Sequence, residues 1–221
     1  MSEPRREKVF LLHGIALNRF SLLFLEKRLR KSGFEAEAIS YPSTKHSLDD
    51  LAQWFYAKYL APDVLQNFDR IHFVGHSMGG LVIRRALHNY RDQLPADKIG
   101  RVVMLGTPNG GSEIADFLQK FIPFRKLYGP AGAELTTHHQ KSLQAPLYYE
   151  AGAIAGTSRW LYPLASIWIK GDHDGRVSVK STKLPDLKDH MVINASHTFM
   201  IYRGRTARLV ISFLKNGQFQ S

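Results

Sequence analysis

The 221-residue chain has no cysteine. That excludes disulfide staples, thiolate metal sites and thiol nucleophiles together, and it suits a reducing compartment. Long apolar runs are missing too. None approaches the roughly 20 residues that a membrane-spanning helix needs, and residues 9–12, behind a charged N-terminus, are too few for the core of a secretory leader. The expectation is a soluble, cytoplasmic protein. Acidic charge is scarce: 19 Asp and Glu stand against 30 Lys and Arg, a formal net charge of +11. Such a surplus favours anionic surfaces, and transient contact with an anionic membrane is one expectation from it. The basic residues are scattered, however, and no tract alternates them with aromatics, so nucleic acid is not an expected partner.

What is there is an ordinary globular composition, 44% apolar and 22% charged. The length fits one domain, residues 1–221, whose core needs no staple. Short apolar runs alternate with amphipathic helical patterns, which indicates βαβ units and a parallel sheet. Strands are expected at 9–12, 36–41, 71–74, 102–105, 166–170 and 191–194. Helices are expected at 20–31, with Asn18 as cap and Gly33 as stop, and at 47–60, 78–90, 178–182 and 205–215. The alternation breaks between Thr107 and Tyr162, and about 112–162 reads as an insertion above the sheet. Within it Ile114, Phe117, Leu118 and Phe121 share one face at helical spacing. That face suits either a lid that binds substrate or a helix packed on the core.

Residues 75–80 read Gly-His-Ser-Met-Gly-Gly, between an expected strand and an expected helix. A serine on so sharp a turn needs small neighbours, which Gly75 and Gly79 supply, and the turn lifts the Ser77 hydroxyl above the sheet. His76 occupies the variable position and supports the serine. A glycine-rich turn with a capping serine would show the same letters. His13-Gly14-Ile15 follows the first strand. Acyl transfer needs two amide donors where negative oxygen develops. The Met78 amide, just after the serine, is one candidate; the Ile15 amide, on a loop that Gly14 lets approach, is the other. A serine hydroxyl also needs a base that a third group orients. Two late loops offer these, Gly171-Asp172-His173-Asp174-Gly175 and Ala195-Ser196-His197. Both leave the sheet at the same end as Ser77 if all strands are parallel. Of ten histidines, His197 is the candidate base; His173 has no evident partner. Asp172 and Asp174 compete as the third group, and Asp172 also suits a turn-former. His138 and His139 have no carboxylate at ligand spacing, and no metal site is expected.

Taken together, these segments resemble the α/β-hydrolase superfamily, in particular its small lipase- and esterase-like members. His13-Gly14 resembles their oxyanion loop, residues 75–80 their nucleophile elbow, and residues 105–112 (Leu-Gly-Thr-Pro-Asn-Gly-Gly-Ser) the segment after the next strand. Asp174-Gly175-Arg176-Val177 resembles their acid loop and Ser196-His197-Thr198 their histidine loop. The likeness runs from Val9 to about Leu214 and is weakest over 113–165. It implies an α/β fold with a reduced core of about six mostly parallel strands, helices on both faces and a cap-like insertion. It implies the triad Ser77, Asp174 and His197, with Asp174 preferred over Asp172. It also implies hydrolysis of small-molecule or lipid carboxylic esters through an acyl-enzyme on Ser77, without metal or organic cofactor. Related folds act on thioesters and amides or transfer acyl groups, and a silent lipid- or partner-binding protein is the alternative from another class.

Overall fold

Alternation of buried side chains decides how the first strand sits. β1 (Glu7–Leu12) sends Phe10 and Leu12 into one core layer and Val9 and Leu11 into the other, and all four are buried. A strand covered on both faces is what a continuous apolar run produces. The computed structural model describes residues 6–112, 129–132, 134–135 and 146–220. In it β1 lies between β2 (Glu35–Ile39) and β3 (Arg70–His76), and β4 (Ile99–Leu105), β5 (Ala151–Gly156) and β6 (Asp189–Ile193) follow. The order is β2-β1-β3-β4-β5-β6 and every pairing is parallel. The expected six-stranded parallel sheet is the observed one.

Helices cover both faces. α1 (Leu23–Lys31) and α5 (Gly204–Asn216) bury Leu25, Leu29, Leu209, Val210 and Phe213 on the Val9 side. α2 (Leu48–Phe55), α3 (Pro62–Leu65) and α4 (Met78–Asn89) bury Leu51, Phe55, Leu65, Val82 and Ile83 on the Phe10 side. There Phe55 meets Phe10 and Phe73 edge-on, at 6.1 and 6.2 Å between ring centres. Each fully buried Leu or Phe contributes about 1.5–3 kcal/mol, so these layers hold the sheet.

Helix ends follow local chemistry. Asn18 accepts from the Phe20 amide to start a 3-10 turn, Arg19–Leu22, that feeds α1. Ser47 and Asp50 exchange bonds in a capping box at α2, which passes into a π turn, Tyr56–Leu60. Gly33 and Gly217 stand where α1 and α5 stop.

Two expected elements are corrected. The fifth strand is Ala151–Gly156, inside the stretch 112–162 that composition assigned to an insertion, and not residues 166–170. That later segment belongs to a surface 3-10 turn, Pro163–Ile167, and the loop after it, with Ile167 exposed. Residues 178–182 form turns and a single bridge to His173 instead of a helix. Ile114, Phe117, Leu118, Phe121, His138 and His139 lie outside the described residues. Among the described residues no helix is long and apolar enough to cross a membrane.

Candidate active site

β3 ends at His76 and α4 begins at Met78, so Ser77 alone makes the turn. Its backbone sits at φ 53° and ψ −124°, a conformation that costs a non-glycine residue free energy and persists only where its surroundings enforce it. The neighbours are small because the crossing is tight. A Cβ on Gly75 would collide with the Gly80 backbone, and one on Gly79 with the Leu12 and His13 carbonyls. The Ser77 amide donates to the Leu105 carbonyl at 2.8 Å, and the Ser77 carbonyl accepts from the Gly80 amide at 3.1 Å.

The structure brings Ser77, His197 and Asp174 together. His197 Nε2 lies 2.9 Å from Ser77 Oγ, and His197 Nδ1 lies 2.8 Å from Asp174 Oδ2. With its Nδ1 proton on the carboxylate, the ring turns an unprotonated nitrogen to the hydroxyl, and the hydroxyl donates to it. Asp174 Oδ1 accepts from the amides of Arg176 (3.0 Å) and Val177 (2.8 Å), and the His197 amide donates to the Asp174 carbonyl at 2.9 Å. One carboxylate oxygen is thus held by backbone and the other serves the imidazole. All three side chains are buried, while the competing Asp172 is exposed.

His76 lies beside His197. Its Nε2 is 3.0 Å from the His197 carbonyl and must donate, since a carbonyl only accepts. Its Nδ1 is buried without a partner among the described residues. Burial, then the neighbouring His197, pushes its pKa down to about 3, so His76 stays neutral. His13 is likewise buried, and burial lowers its pKa. Its Nδ1 donates to the Gly14 carbonyl at 2.8 Å, its ring stacks on Tyr41 at 4.3 Å, and the Tyr41 hydroxyl donates to the His13 carbonyl. The loop therefore leaves the sheet in one conformation. Ala16 turns it back at φ 57° and donates to Ser43 Oγ. A Cβ on Gly14 would stand 3.2 Å from Ser77 Cβ, so this loop touches the serine. The amides of Ile15 and Met78 have no acceptor among the described residues.

Sequence reasoning missed several supports. His173, which it left without a partner, is fully buried; it pairs with Ser166 Oγ at 3.0 Å and accepts from the Gly175 amide at 3.1 Å. No spacing announces that role. Gly106 has φ 57°, and a Cβ there would lie 3.1 Å from both Asp174 Oδ2 and His197 Nδ1. Asn109 accepts from buried Arg84 at 2.9 Å and donates to the Thr182 carbonyl at 2.8 Å, tying the loop after β4 to the segment behind Asp174. The Leu-Gly-Thr-Pro-Asn letters of that loop were the available signal.

Solved structures share this arrangement of elements. The mature lipase BlEst2 of Bacillus licheniformis superposes with a TM-score of 0.77 at 21% identity, over 91% of this chain and 89% of that one. A metagenomic carboxyl esterase, MGS0156, gives 0.65 at 18% identity, over 89% and 65%. YbtT, a type II thioesterase from yersiniabactin biosynthesis, gives 0.63 at 12%, over 99% and 96%. A sequence profile described as the alpha/beta hydrolase family matches residues 9–207. With that match spanning nearly the whole sheet and its helices, the chain belongs to the alpha/beta hydrolase family.

Proposed function

We propose that this protein hydrolyses carboxylic esters of small molecules or lipids, with Ser77 as nucleophile, His197 as general base and acid, and Asp174 as the group that orients His197. The observation that carries the reading is the continuous relay, 2.9 Å from hydroxyl to imidazole and 2.8 Å from imidazole to carboxylate. His197 removes the Ser77 proton as Oγ adds to the ester carbonyl. Asp174 stabilises the resulting imidazolium and keeps its tautomer. The Ile15 and Met78 amides, without an acceptor among the described residues, hold the negative oxygen. His197 then returns the proton to the departing alkoxide, which leaves as alcohol. Water, deprotonated by the same ring, attacks the acyl-serine; the acid departs and Ser77 regains its proton.

The fold likeness to a lipase and a carboxyl esterase supports an ester substrate. The same relay would also serve a thioester, as the fold likeness to a thioesterase suggests. The test is labelling by a fluorophosphonate, which reacts with activated serines, followed by hydrolysis of an ester, a thioester and an amide of one acyl group. Wild type is expected to be labelled and to turn over the ester fastest. Ser77→Ala is expected to lose labelling and at least about 1000-fold in rate. Unlabelled wild type, or an active Ser77→Ala protein, refutes the proposal; a faster thioester reassigns the substrate.

A further inference from the structure

Large apolar side chains lie exposed beside the proposed site. Leu17 follows Ile15 by two residues, and Phe20 on the next turn is 67% exposed. Phe199 follows His197 by two residues, and the Trp160 ring stacks on it at 5.7 Å between centres. Tyr202 lies on the turn Met200–Tyr202, which packs against the turn carrying Phe20. The segments carrying Trp160 and Phe199 are cross-linked: the Ser158 amide donates to the Ala195 carbonyl, and the Tyr162 and Thr198 hydroxyls pair at 3.0 Å. The turn Pro163–Ile167 extends the patch with Leu164 and Ile167, 66% and 68% exposed. A soluble surface rarely gathers such residues without a partner.

The exposed charge on these segments is positive except at Asp172. Arg19, Arg159, Lys170, Arg203 and Arg205 are all exposed on its segments. The acidic residues of 15–31, 157–172 and 195–208 are Glu26 and Asp172 alone, and Glu26 is nearly buried and ion-paired with Arg30. Aromatic rings with polar edges, bare aliphatic side chains and a guanidinium collar match the layers of an anionic leaflet. Apolar groups enter the acyl boundary, Trp and Tyr sit at the headgroups, and Arg meets the phosphates. We propose that this face docks the protein on anionic lipid bilayers, with the Ser77 end of the sheet turned to the membrane.

The docking does not depend on the serine chemistry, so it is measured with Ser77→Ala, which leaves the vesicles intact. The probes are vesicles of phosphatidylcholine alone and vesicles with about a third phosphatidylglycerol, a strongly anionic surface. The protein is expected to float with the anionic vesicles, not the neutral ones, and to be released as salt rises from about 0.1 to about 0.5 M. Adding Phe20→Ser and Ile167→Ser is expected to weaken binding about tenfold or more, as loss of two inserted side chains should. The control Val192→Ser, at an exposed apolar residue on β6, is expected to bind as before. Circular dichroism and the melting temperature verify folding. Should the double variant fail to fold, Arg19→Gln with Arg203→Gln tests the collar and is expected to bind less to anionic vesicles. The proposal is overturned by absence of binding to anionic vesicles, by equal binding to neutral ones, or by full binding of the folded variants. It is also overturned if the patch substitutions dissolve a dimer instead, since a second copy would then be the occupant. Hydrolysis of a soluble short ester by the wild-type chain is a separate reading, and it stands or fails independently.

Discussion

Two imidazoles 5.0 Å apart do different things in this protein. His197 faces a hydroxyl and a carboxylate, whereas His76 has a backbone carbonyl on one nitrogen and, among the described residues, no partner on the other. Changing the carboxylate tests the first role. Asp174→Asn keeps the side chain's shape but offers an amide where His197 Nδ1 donates, which favours the wrong tautomer. Its kcat is expected to fall on the order of 1000-fold with KM little changed, and a loss under tenfold would argue against the orienting role. Gly106 tests how tightly the pair is packed. Gly106→Ala puts a methyl group 3.1 Å from both partners at a positive φ. It is expected to cost about 1–2 kcal/mol of stability and to lower kcat, read by urea unfolding and ester turnover. Ser77 and His197 were legible in the sequence because each stands in a short motif behind a strand, and Asp174 was preferred over Asp172 on the family resemblance, since the strand expected before it is a turn. Gly106 and His173 were not legible, because their roles come from contacts that only the closed fold creates.

At the scale of elements, β1 through β4 were legible from their apolar runs, and β5 was not. Its sequence, Ala-Gly-Ala-Ile-Ala-Gly, has a single branched residue, Ile154, and no aromatic to mark a strand. The smallness has a physical cause. A Cβ on Gly152 would lie 2.6 Å from the Phe213 ring of α5, and one on Gly156 would strike the Ala195 carbonyl and approach Asp174 Cβ at 2.8 Å. Helix and acid loop come too close for larger side chains. Residues 166–170, Ser-Ile-Trp-Ile-Lys, carry the alternation of a strand, yet only Ile169 among their apolar residues is buried. The sheet position they would need is filled by β5. The tie between Asn109, Arg84 and the Thr182 carbonyl links these elements. Asn109→Ala leaves buried polar groups with fewer partners. It is expected to cost about 1–3 kcal/mol in urea unfolding and to raise hydrogen exchange at the amides of Arg176 and Val177. Unchanged exchange there would mean the acid loop does not depend on this tie.

For the whole molecule, buried neutral histidines set the response to acid. His72 accepts from the Arg101 amide at 2.9 Å, and burial, then Arg101 and Arg70, push its pKa down to about 3, the value His76 also reaches. In the unfolded chain both would titrate near 6.5, so there the unfolded state takes up protons that the folded state refuses. Stability is therefore full above about 6.5 and is lost as pH falls toward 3, by about 1.4 kcal/mol per pH unit for each histidine. Urea midpoints are expected to drop clearly between pH 7 and 5, and His72→Gln is expected to remove part of that slope. Identical midpoints at the two pH values would show that neither ring is held neutral.

The strand order carries one more consequence. β2, β1, β3 and β4 form one contiguous block, to which β5 and β6 are added along a single edge. The serine belongs to the first block, while the aspartate and the imidazole follow β5 and β6. During synthesis the ribosome therefore releases the strands that carry Ser77 before those that lead to Asp174 and His197. Under the proposed chemistry, the hydroxyl gains its base only after residue 197 has emerged and the second block has zipped onto β4.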